Sequence, residues 1–175
     1  QPLQNPNAFG NAWIVNDVRW VDTPNEEIDA IGTTDVRHTA ILSKEFEQQV
    51  GNYSLTDSVP AQITLTEYRP NRLTYRFSSV STGSTATDYL VVFSEIWSGM
   101  GWTMYLDGKE HPLKRADYML RCALIPSGEH EITMEYAPRI WKVSNNIQLV
   151  SSLLLILGLV AAILITTKKQ KEQKI

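Results

Sequence analysis

The sequence predicts a mainly β fold, an antiparallel β-sandwich or jelly-roll-like domain with one or two short helices, followed by a single C-terminal transmembrane helix. Three observations carry this. Short runs rich in β-branched and aromatic residues recur at close spacing, with turn signals between them. Two of these runs, "ITLTEYR" and "HEITMEYAP", alternate apolar and polar residues with the period of two that a half-buried strand requires. No charge interrupts the chain from Val143 to Thr167, and soluble helices rarely run so long without a polar face.

The chain has 175 residues, and without its tail roughly 145 remain, enough to bury a core without disulfides or metal. "NAWIVNDVRWV" reads as one or two short strands. "DTPNEEIDAI" then starts a short helix, with Thr23 as N-cap, Pro24 at the first position, and Glu26 and Glu27 in the first turn, where the macrodipole favours anions. "RHTAILSK" is a strand, "EFEQQV" a helical turn or loop, and "DSVPAQ" a break. In "ITLTEYR", Ile63 and Leu65 share one face and Thr64 and Thr66 the other. "PNR" turns, and "LTYRFSS" returns with Leu73, Tyr75 and Phe77 inward, closing a hairpin. "STGSTAT" is a polar loop. "DYLVVFSEIW" is apolar on both faces, which fits a central strand. "WTMYLDGKEHPLKR" is a hairpin whose Asp107-Gly108 supplies positive φ for a type I′ turn. "YMLRCALI" is a second strand apolar on both faces, "PSGE" turns, and "HEITMEYAP" sets Ile132, Met134 and Tyr136 against Glu131, Thr133 and Glu135.

The apolar stretch from Ile147 to Ile165 spans roughly 28 Å as a helix at ~1.5 Å per residue, close to the ~30 Å of a bilayer's hydrocarbon. "KKQKEQKI" follows, and lysine-rich flanks stay cytoplasmic, so the domain is expected outside and the C-terminus inside, with Trp141 at the outer interface. Three regions result: an outward domain over 1–142, a span over 143–167 and a basic tail over 168–175. Few residues separate Pro138 from the span, so the sandwich is expected close to the lipid surface. Gly158 and Ala162 form a small-xxx-small pair suited to helix packing. An outward domain needs translocation, and "QPLQNPNAFG" has no basic or apolar leader, which leaves a removed signal peptide or truncation from a longer protein with earlier spans.

A net charge of −3 gives no electrostatic footprint for nucleic acid. His38, His111 and His130 lack ligand spacing, so neither metal nor cofactor is expected. Cys122, in an apolar run, reads as a small buried hydrophobe. Two charges stand out for their surroundings. Glu95 lies on the side of Val91 and Phe93, and Arg121 on the side of Met119 and Ala123. An ion in an interior strand is costly unless paired, so Arg121 is expected against a carboxylate, Glu95 first and Asp107 or Asp117 next. That reading, or a strand-end charge, is preferred to a ligand contact. Trp97, Trp102 and Tyr105 gather around "SGMG" as a candidate sugar-stacking platform, although Trp is equally an ordinary core residue.

One longer pattern is informative. Phe93-Ser94-Glu95, Gly101-Trp102, Asp107-Gly108-Lys109, Arg115-Ala116-Asp117-Tyr118, Leu120-Arg121, Gly128 with His130, and Tyr136 with Pro138 resemble the C-terminal region of the bacterial YfhO family of multi-pass membrane proteins. "NPNAFGNAW", "YRPNRLTY" and the closing helix with its basic tail are similar too. Asp117 stands where that pattern usually has Asn. The resemblance implies a C-terminal portion of a larger glycosyltransferase-like protein of the bacterial cytoplasmic membrane. Such a protein takes sugar from a polyprenyl-phosphate carrier to modify cell-envelope polymers at the outer surface. Its catalytic acid would lie near the first helices, so these residues would be non-catalytic. The implied partners are the bilayer, the upstream helices of the same protein and, for the sandwich, an envelope glycopolymer or the polyprenyl-phosphate sugar. The competing readings are a freestanding single-span module that binds carbohydrate or another envelope component, and a hydrolase using Glu95 or Asp107 beside a second carboxylate.

Overall fold

The computed structural model describes residues 5, 7–55, 60–80 and 88–172. The "STGSTAT" loop at 81–87, the start of the break at 56–59, the last residues of the tail and the side chain of Trp141 lie outside the described residues. The chain divides into two units, Gln1–Tyr136 and Ala137–Ile175.

In the first unit the strands are β1 (Ala12–Val15), β2 (Asp17–Val21), β3 (Thr39–Ser43), β4 (Ala61–Arg69), β5 (Arg72–Ser79), β6 (Asp88–Ile96), β7 (Trp102–Leu106), β8 (Lys109–His111), β9 (Lys114–Ala116), β10 (Leu120–Pro126) and β11 (Glu129–Tyr136). They form a sheet in the order β1-β6-β10-β9, a second in the order β4-β5-β11-β7-β8, and a ribbon β2-β3. The mainly β prediction holds. Between the two larger sheets lie Leu73, Tyr75 and Phe77 of β5, Tyr89, Val91 and Phe93 of β6, Met104 of β7, Ala123 and Ile125 of β10, and Ile132 and Met134 of β11. Phe77 tilts against Tyr89 and Tyr75 meets Phe93 edge-on, the geometry that aromatic quadrupoles favour.

Both strands read as apolar on two faces are interior strands, for a reason the sandwich alone does not supply. β6 is flanked by β1 and β10, and β10 by β6 and β9. The other face of this sheet, with Leu90, Val92, Ala116 and Cys122, is covered by Ala40 and Leu42 of β3. On the far side of β3, Ile41 packs with Val21 and Ala30, the latter on helix α1 (Pro24–Ile31). A ribbon and a helix thus form additional layers over one sheet. Burial accordingly pushes the Cys122 thiol up, and this cysteine is an inert hydrophobe.

Two local expectations need correction. The pairing is not antiparallel throughout, because β2 and β3 run parallel, Asp17 opposite Thr39 through Val21 opposite Ser43. Parallel neighbours require a crossover, and α1 is that crossover. Its start is as read: Thr23 Oγ1 accepts from Glu26 N, and Pro24 stands in the first turn. The hairpin expected from Trp102 to Arg115 is also shorter. β8 ends at His111, Pro112 follows, and Lys114 already belongs to β9 in the other sheet. Proline cannot donate to a ladder, which suits it to a segment changing sheets. At the hairpin tip, Asp107 and Gly108 have φ of 49° and 78°, as a type I′ turn requires.

In the second unit, α3 runs from Arg139 to Glu172. Within it Val143–Ile165, 23 residues of mean hydropathy 2.6, is long and apolar enough to cross a membrane.

Candidate functional site

A buried cluster of charged side chains lies where α1, β3 and the β9–β10 turn meet. Glu27 is on the buried face of α1, one helical turn before Ala30, and is 1% exposed. Its Oε1 accepts from Tyr118 N at 2.9 Å, and its Oε2 lies 2.9 Å from Arg115 Nη2. Arg115 also donates through Nη1 to Tyr118 O at 3.2 Å, and its guanidinium stands 5.8 Å from the Tyr118 ring centre. Asp117, 6% exposed, takes both backbone groups of Ile41. Its Oδ1 accepts from Ile41 N and its N–H donates to Ile41 O, each at 2.8 Å. Asp117 therefore acts as a one-residue substitute strand along the free edge of β3.

This contact has a visible cost. Asp117 and Tyr118 have φ of 49° and 69°, a left-handed region that a bulky ring enters only when its surroundings over-determine it. Glu27 and Arg115 supply that determination by holding both backbone groups of Tyr118. Asp117 Oδ2 is buried without a hydrogen-bond partner. Burial, with the Glu27 charge adding to it, pushes the Asp117 carboxyl up to about 6 against the restraint of the Ile41 N–H. Two neighbouring carboxylates can in principle serve as an acid–base pair, but Glu27 and Asp117 are 1% and 6% exposed, so no substrate reaches them. The arrangement is a clamp between layers.

Of the candidate site residues named from the sequence, Asp117 belongs to this cluster. Arg115 and Tyr118 are named there only in the longer pattern, and Glu27 only as a first-turn acid.

Arg121 corrects the expected ion pair. It is 3% exposed, yet among the described residues no carboxylate oxygen lies within 4.0 Å of its guanidinium. It lies over the Trp102 ring, 4.1 Å from the centroid, with Nε donating to Ile96 O at 2.9 Å and Nη1 near Met134 Sδ at 3.7 Å. Trp102 in turn meets Tyr136, with ring centres 5.4 Å apart. The aromatic face replaces the carboxylate as the cation's partner. Burial lowers the Arg121 pKa, and Glu95 opposes that shift from a distance. Glu95 itself is half-buried near the end of β6, the strand-end alternative.

Asp107 is spoken for as well. Its Oδ2 lies 2.6 Å from His130 Nδ1 and its Oδ1 accepts from Glu131 N at 2.9 Å. The His130 bond, ahead of other causes, lowers the Asp107 pKa. The His130 ring stacks on Phe77, and a Cβ on Gly128, at φ 132°, would come within 3.3 Å of His130 Nε2. Both Asp107 oxygens are thus engaged, one by His130 and one by Glu131 N, which disfavours Asp107 as a hydrolase nucleophile.

The sugar platform does not assemble from its three aromatics. Trp102 and Leu106 pack on the inter-sheet core with Met104 between them, so Tyr105, one residue out of step, faces the other side of the sheet. Trp97 follows β6, its backbone N–H donating to Met119 O at 2.6 Å. Among the described residues, no group of three His, Cys, Asp or Glu side chains is placed to hold a metal ion. No family model, curated protein or solved structure matches this chain.

Proposed function

We propose that this chain is a non-catalytic, outward-facing β domain with a membrane span, the C-terminal portion of a YfhO-like protein of the bacterial cytoplasmic membrane. In this reading the parent protein glycosylates cell-envelope polymers from a polyprenyl-phosphate-linked sugar, and the β domain assists in holding the acceptor.

One observation supports the reading more than any other. The residues that carry the YfhO resemblance are scattered through the sequence but meet in four internal contacts: Asp107 with His130, Arg121 with Trp102, Trp102 with Tyr136, and Arg115 with Tyr118 beside Asp117. Residues so engaged hold a fold together. The 23-residue apolar segment and the lysines after it fit a span with its C-terminal end in the cytoplasm.

Topology is the direct test. Cys122 is fully buried, so a cysteine at the exposed hairpin tip, Lys109→Cys, gives one reactive thiol. A membrane-impermeant maleimide is expected to label Lys109→Cys in whole cells and Lys168→Cys only after lysis. The opposite pattern overturns the reading. The reading frame ahead of Gln1 separates it from its rival: further spans support the YfhO-like parent, whereas a signal peptide directly before Gln1 makes the chain a freestanding single-span module.

A further inference from the structure

The outer face of the β1-β6-β10-β9 sheet is covered by Ala40 and Leu42 of β3, with Phe46, Val50 and Tyr53 packed beside them. A cavity of about 410 Å³ opens between helix α2 (Glu47–Val50), the β8–β9 connection and the first residues of β6. Its apolar lining residues are aliphatic: Val50, Leu90, Pro112, Ala123, Leu124 and Pro126. An aromatic sugar platform is therefore not what this wall offers. Leu90 stands directly opposite Leu124, and Asp88 opposite Pro126, so alternate residues of both strands point into the same space.

The polar groups sit at the ends of this aliphatic floor. Lys114, opposite Cys122 in the register, marks one end, and Asp88 the other. Four residue steps along β10, from Cys122 to Pro126, separate the two rows, roughly 13 Å at ~3.3 Å per residue. His111 forms part of the wall, its Nε2 bonded to Leu124 O at 2.7 Å. The Lys114 ammonium lies 5.4 Å from the Phe46 ring centre, and among the described residues no carboxylate oxygen lies within 4.0 Å of it. It is the cation at this rim with its charge uncompensated by a salt bridge. Asp88 at the far end disfavours a second anionic group there, which restricts the ligand to one charged head.

We infer that this cavity binds a medium-chain aliphatic carboxylate, its head on Lys114 and its chain along Leu124, Val50 and Pro126. The volume lies within the range of small-molecule pockets, and a few placed polar groups around an apolar floor are their usual composition. The inference rests on the cavity alone and does not depend on the YfhO reading.

The test uses the full chain in phosphatidylcholine nanodiscs with methyl-labelled Val and Leu, and octanoate, octanol and acetate as probes. Octanoate is expected to shift the Val50 and Leu124 methyl resonances saturably, while acetate leaves them in place. Lys114→Met is expected to weaken octanoate roughly tenfold, the loss of one charge-assisted contact, and to leave octanol unchanged. Leu124→Trp fills the floor, and Gln49→Trp, at an exposed helix position, closes the mouth without disturbing the sheet. Both should abolish binding. Absence of saturable shifts, shifts that survive Gln49→Trp, or equal weakening of octanoate and octanol by Lys114→Met would each overturn the inference.

Discussion

Replacing Arg115 by Met is expected to destabilise the β domain by about 3 kcal/mol, the low end of what removing one member of a buried ion pair costs. The low end applies because Arg115 is 21% exposed at its side chain whereas Glu27 is 1% exposed. The loss comes less from the attraction itself than from what remains. A carboxylate sealed beneath α1 keeps only the Tyr118 N–H as a partner. Tyr118, at φ 69°, also loses the guanidinium that held its carbonyl. The second half of the prediction follows from the same asymmetry. Glu27→Gln keeps an oxygen for Tyr118 N and removes the stranded charge, so Arg115→Met combined with Glu27→Gln should recover most of the stability. Urea denaturation of the full chain in nanodiscs, followed by tryptophan fluorescence, gives the double-mutant cycle. A loss below 1 kcal/mol in the single variant would show that the clamp does not hold the layers.

Asp117→Asn is expected to do the opposite and stabilise the domain at neutral pH, by about 3 kcal/mol. The folded-state pKa of about 6 lies above the ordinary 3.8, and each unit of difference corresponds to about 1.4 kcal/mol. A group raised in the folded state contributes its full share of stability below its unfolded pKa. That share is lost as pH rises through the folded value. The wild type should therefore lose stability between about pH 4 and 6 through this residue, and the Asn variant should lack that slope. Asn keeps the oxygen that accepts from Ile41 N and replaces the orphaned Oδ2 with a donor beside the Glu27 carboxylate. It also tolerates the left-handed backbone at this turn. Denaturation midpoints at pH 4.5 and 7.5 decide the matter. Parallel curves for the two proteins would mean that Asp117 is no more acid-shy than an exposed aspartate. The substitution also bears on the YfhO resemblance, since Asn is the residue that pattern usually carries there.

Local pattern and distant contact divide the legible from the hidden here. Ile63 and Leu65 against Thr64 and Thr66, the inward Leu73, Tyr75 and Phe77, the Asp107-Gly108 turn and the Thr23 cap are all consequences of neighbours within a few residues. Each is written in the sequence as period or turn chemistry. The doubly apolar β6 and β10 were equally readable as interior strands, but what covers their second face was not. The cover comes from β3, whose own five residues carry no mark of which sheet they will meet.

The partners of charges were hidden for the same reason. Arg121 and Glu95 share the sandwich side of adjacent strands, which made them a natural pair. Register decides otherwise, placing Arg121 opposite Phe93, with a slip between Leu120 and Arg121, so the guanidinium meets Trp102. Glu27 and Tyr118 are 91 positions apart and Asp117 and Ile41 are 76 apart, and nothing in either segment announces the other. Strands, inward faces, the turn, the helix start and the apolar segment are legible along the chain, because periodicity and backbone preference act over a few residues. The parallel ribbon, the layer that seals the central sheet, the clamp around Tyr118 and the cavity beside Lys114 emerge on folding alone, because each depends on which distant segments exclude water together.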